Sequence, residues 1–96
     1  MVEDKNKIQE IVSDIVQNNT ENLGLGLIDE NTLLLTEGSL IDSLTLVSII
    51  VDIETVLSEN FNKDISLSDD NAMQRKISPY KNIKTLVDYI IELMNQ

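Results

Sequence analysis

Ser43 stands in the run Gly38-Ser39-Leu40-Ile41-Asp42-Ser43-Leu44, where a glycine-containing approach gives way to a helical pattern. A hydroxyl in the first turn of a helix meets unpaired backbone N–H groups and the positive end of the helix dipole. Both favour an anion, so a phosphodiester on Ser43 would sit in a receptive position, and the glycine lets another protein's surface come close. Asp42 fits the N-cap, its carboxylate accepting from an N–H two or three residues on. A plain helix cap is a sufficient account of Asp42 and Ser43 taken alone, and capping is compatible with modification.

Other chemistries have little to stand on. The chain contains neither cysteine nor histidine, which removes disulfides, thiolate nucleophiles, imidazole bases and the usual zinc or haem ligands. Carboxylate chemistry, hard-cation binding or no catalysis remain. Nothing in a small helical chain of surface-patterned acids predicts a buried acid and base pair with separated pKa values. Asp29-Glu30 and Asp69-Asp70 lack the alternating oxygens and central glycine of an EF-hand. Gly24-Leu25-Gly26 lacks the third glycine and preceding strand of a dinucleotide fingerprint. Asn18-Asn19-Thr20 has the letters of a glycosylation acceptor without a secretory signal. No catalytic residue and no metal site is therefore assigned, and the chain is not expected to be an enzyme.

The elements that must position Ser43 are legible from periodicity. Over residues 4–18, Ile8, Ile11, Val12, Ile15 and Val16 recur at helical spacing and predict an amphipathic helix that ends at Asn18-Asn19. Residues 19–41 carry all three glycines and no sustained period, and read as a long loop pinned by Leu23, Leu25, Leu27, Ile28 and Leu33 to Leu35. From Ser43 a second helix places Leu46, Ile50, Ile53 and Leu57 in one line, with Leu44, Val47, Ile49 and Val51 widening the apolar surface. That width exceeds one core stripe, so either this helix is central or part of its surface serves something other than the core. Capping residues and early acids predict a short third helix over 66–73, interrupted by Ser78-Pro79. Asn82 caps a last helix on Ile83, Leu86, Val87, Ile90, Ile91 and Met94, running to about Asn95. The expected fold is all-α: a small four-helix bundle of three long helices and one short one with a long first loop, a single domain over 1–96.

Composition bounds the partners. Seventeen Asp and Glu against seven Lys and Arg give a net charge of −10, which opposes nucleic acid and anionic lipid and favours partners with basic surfaces. No apolar run approaches the ~20 residues needed to cross a bilayer, and the N-terminus lacks a signal-peptide layout, so a soluble cytoplasmic protein is expected. With 42% hydrophobic and 3% aromatic residues, the core must be built of Leu, Ile and Val.

Asp42-Ser43-Leu44, preceded by Gly38 and followed by the helix Leu46 to Leu57, resembles the attachment motif of the acyl and peptidyl carrier proteins. The resemblance extends over nearly the whole chain, to the long first loop, the acidity and the closing segment Leu86-Val87-Asp88-Tyr89-Ile90. It implies that Ser43 receives 4′-phosphopantetheine from coenzyme A through a separate phosphopantetheinyl transferase, with Asp42 and Leu44 flanking the attachment point. The thiol of that arm then carries an acyl group for fatty-acid, polyketide or specialised biosynthesis. An aminoacyl or peptidyl carrier of the same fold is the alternative within the family, and an unmodified acidic helical adaptor the alternative outside it. The resemblance further implies a monomer that visits acyl-loading and acyl-processing enzymes, docking by the second helix through Leu44, Val51 and Glu54. Thr45 and Ser48 depart from the acids that fatty-acid carriers usually hold there, and Phe61 comes about one turn later than the family's aromatic. Both point away from general fatty-acid synthesis toward a dedicated pathway with more apolar docking.

Overall fold

In a computed structural model the chain is described over residues 2–62, 65–67 and 79–95. Helix α1 spans Val2–Asn19, a 3-10 turn covers Glu21–Leu23, α2 spans Ser43–Phe61 and α3 spans Ile83–Met94. The architecture is all-α, with no strand among the described residues. The expected helix over 66–73 lies outside the described residues except for Ser66 and Leu67, and with it the fourth member of the expected bundle.

Helix α1 forms where its apolar residues fall on one stripe, and Ile8, Val12, Ile15 and Val16 are all buried. It ends where side chains compete for its last carbonyls. The Asn19 amide donates to the Ile15 carbonyl (2.8 Å) and the Thr20 hydroxyl to the Val16 carbonyl (2.7 Å). Gly24, at φ 65°, then turns the chain through the left-handed region, which a side chain disfavours. Among the described helices, α1 packs against both α2 and α3.

Helix α2 turns Leu46, Ile49, Ile50, Ile53 and Leu57 into the core. It continues without a break through 55–60 to Phe61, and it closes on Asn62 in the left-handed conformation with its N–H on the Ser58 carbonyl. The extra apolar width faces out: Leu44, Val47 and Val51 are exposed. Helix α3 starts with a reciprocal capping box in which Asn82 accepts from the Thr85 N–H while the Thr85 hydroxyl accepts from the Asn82 N–H. It buries Ile83, Leu86, Val87, Tyr89 and Ile90.

The long first loop is held at both ends and in the middle. Leu34 and Ile41 are buried, and Leu23, Leu25 and Ile28 pack partly against the core, whereas Leu27 is 85% exposed and pins nothing. Leu33 pairs antiparallel with Asn82 in an isolated bridge. Backbone bonds from Leu34 to Lys81 (2.8 Å), Leu35 to Tyr80 (2.7 Å), Ile83 to Thr32 (3.1 Å) and Lys84 to Glu30 (2.9 Å) make residues 30–35 a strap across the start of α3.

Candidate functional site

Ser43 is the first residue of α2 and is exposed. Asp42 takes the N-cap with extended backbone: its carboxylate accepts from the Thr45 N–H (2.8 Å) and its carbonyl from the Leu46 N–H (3.0 Å). The Thr45 N–H, with the Thr45 hydroxyl adding to it, holds the Asp42 carboxyl below the usual carboxylate range. Asp42 is thus charged throughout the neutral range and committed to the cap. The cap leaves the hydroxyl of the next residue free on the surface, one turn ahead of the buried Leu46.

Beyond Asp42, the outer side of the first two turns of α2 is apolar and uncharged. Leu44 (80% exposed), Val47 (56%) and Val51 (52%) run along the outer side of α2 at helical spacing, while its buried residues face the opposite way, and Leu40 (63%) is exposed in the loop before the helix. No charged residue occurs between Asp42 and Asp52. Leu44 and Val51, the apolar residues expected to dock, both lie on this exposed face, with Val47 between them.

Between Lys7 and Lys63 the chain has no lysine or arginine. The ammonium of Lys7 lies 5.4 Å from the centroid of Phe61, at the far end of α2 from Ser43, about 27 Å along the helix axis. Lys5 pairs with Asp88 of α3 (3.4 Å). Leu44, Val47 and Val51 form an exposed apolar stripe bounded in sequence by Asp42 and Asp52, on a chain of net charge −10.

Glu54 is set differently from Leu44 and Val51. It is half-buried, and its carboxylate accepts the backbone N–H of Leu67 (2.9 Å), a fully buried residue whose carbonyl takes the Tyr80 hydroxyl. The structure gives Glu54 an internal bond beside its expected docking position. Glu54→Ala leaves the Leu67 N–H unpaired and is expected to cost about 1 to 3 kcal/mol of stability, read by urea denaturation. A stability equal to wild type would show that this bond is replaced by water.

No group of three or more acidic, histidine or cysteine residues among the described residues is placed to hold a metal ion. No helix among the described residues is long and apolar enough to cross a membrane. Compared with protein-family models, with curated proteins and with solved structures, the chain matches none.

Proposed function

We propose that the chain is a carrier: Ser43 accepts a 4′-phosphopantetheine arm from coenzyme A, and the protein presents whatever acyl group that arm holds to partner enzymes. The observation that carries this reading is an exposed serine hydroxyl at the start of α2, beside an aspartate already consumed by the cap and ahead of an uncharged apolar stripe. The residues fit such an arm. The Ser43 hydroxyl is reachable, and the first-turn amides next to it favour the phosphodiester. The arm supplies the thiol that the cysteine-free chain lacks, and a thioester on it is the carried form.

In this reading the chain performs no catalysis. Asp42 and the core face of α2 hold the attachment point rigid, Leu44, Val47 and Val51 contact partners, and the −10 charge steers basic surfaces toward the molecule. Thr45 and Ser48 keep the docking face uncharged, which favours partners that bind by apolar contact in a dedicated acyl or aminoacyl pathway. Glu54 contributes at most at the edge of that face, because it already bonds Leu67.

Incubation with coenzyme A and a broad-specificity phosphopantetheinyl transferase tests this directly. The intact mass is expected to rise by one phosphopantetheinyl group. An unchanged mass would make the chain an unmodified acidic adaptor that uses the same stripe.

A further inference from the structure

Ser39 lies four residues before Ser43 and makes two bonds with one hydroxyl. It donates to the Leu33 carbonyl (3.3 Å) and accepts from the Ile41 N–H (3.0 Å). The Leu33 carbonyl is free for this because of how the bridge to Asn82 is bonded. The ladder bonds come from the neighbours, Leu34 to Lys81 and Ile83 to Thr32. In such a pair the facing residues turn their own N–H and C=O to the opposite edges. Ser39 thus ties the approach to α2 onto a strap that is itself bonded to the start of α3. Beyond Ser39, Ile41 is 4% exposed and plugs the core, Asp42 caps, and Ser43 follows.

We propose that Ser39 is a positioning residue for arm attachment: its paired bonds fix the segment 39–42, and through it the orientation of the Ser43 hydroxyl toward the transferase. The inference rests on the carrier reading. In the transfer, the Ser43 oxygen bonds to the phosphorus on the pantetheine side of coenzyme A. The bond from that phosphorus to the bridging pyrophosphate oxygen breaks, adenosine 3′,5′-bisphosphate leaves, and the hydroxyl proton passes to a base of the transferase. Docking through Leu44, Val47 and Val51 sets KM. The aim of the nucleophile sets kcat, and Ser39 acts on the second.

Apo wild type, Ser39→Ala and Ser39→Thr separate these possibilities. In Ser39→Ala the amide of Ile41 is expected to exchange with solvent about tenfold faster, with Asp42 and Ser43 following, while Leu86 in α3 keeps its protection and certifies the fold. With coenzyme A and a broad-specificity transferase, kcat is expected to fall about 5- to 10-fold with KM within about twofold, and Ser39→Thr, which keeps the hydroxyl, to restore both kcat and exchange. Unchanged exchange at 41–43, or an unchanged kcat in Ser39→Ala, overturns the inference while leaving the carrier reading intact. A wild-type chain that takes no arm overturns the carrier reading and the attachment role together, and amide exchange then decides whether Ser39 braces the segment at all.

Discussion

Exchanging Leu44, Val47 and Val51 together for serine is expected to raise the KM of the apo chain for a phosphopantetheinyl transferase about 10- to 100-fold while leaving its unfolding midpoint nearly unchanged. The two halves of this expectation come from one geometry. All three side chains are more than half exposed, so folding gains little from them. The core is served by a separate face of the same helix, through Leu46, Ile49, Ile50, Ile53 and Leu57. A partner that covers the stripe removes aliphatic surface from water, at about 1 kcal/mol for each such side chain partly buried. Serine differs little from valine in helix propensity, so α2 survives the change. Steady-state kinetics and urea denaturation together read both halves. The rise in KM should persist at high salt, because apolar contact is not screened, whereas the association rate of the unaltered chain should fall with salt because its charge is. An unchanged KM would mean that this face does not dock, and a lowered midpoint that it is part of the core.

The second large effect is on the same helix, facing the other way. Ile53 is fully buried, two residues from the exposed Val51. Ile53→Ala is expected to cost about 3 kcal/mol, from lost transfer energy plus the cavity left behind, a large part of the about 5 to 15 kcal/mol that holds a domain of ordinary size together. Val51→Ala is expected to cost little, its side chain being half in water already. The contrast is measured by the denaturation midpoint at constant slope. Equal losses at the two positions would contradict the assignment of α2's two faces.

Local chemistry made much of this legible. The helices over 4–18 and from Ser43 and Ile83 emerge from apolar spacing, and their ends from residues whose side chains bond nearby backbone: Asn19 and Thr20 after α1, Asp42 before α2, Asn82 before α3. These interactions reach three or four residues and leave a mark in composition. The strap does not. Leu33 and Asn82 are distant in the chain and meet through backbone groups that every residue carries, so no residue type announces the pairing. The same holds for the bond from Leu67 to Glu54, which turns a residue that the resemblance makes a docking acid toward an internal partner. The packing of α1 against both α2 and α3 is equally hidden. Its stripe looks ordinary, and the broader apolar surface of α2 suggests either a central helix or an outward face that serves something other than the core. Burial decides for the outward face, since Leu44, Val47 and Val51 lie in solvent. The Asp42 cap and the Ser43 hydroxyl beside it are legible because both follow from residue type. Ser39 is not, because its significance depends on which carbonyl the strap leaves free.

Where the arm attaches is the most direct test of the account. After incubation with coenzyme A and a broad-specificity transferase, fragmentation of the intact chain is expected to place one phosphopantetheinyl group on Ser43, and Ser43→Ala, with its helical content unchanged, to gain no mass. A group found on another residue, or a mass gain that survives Ser43→Ala, would contradict it.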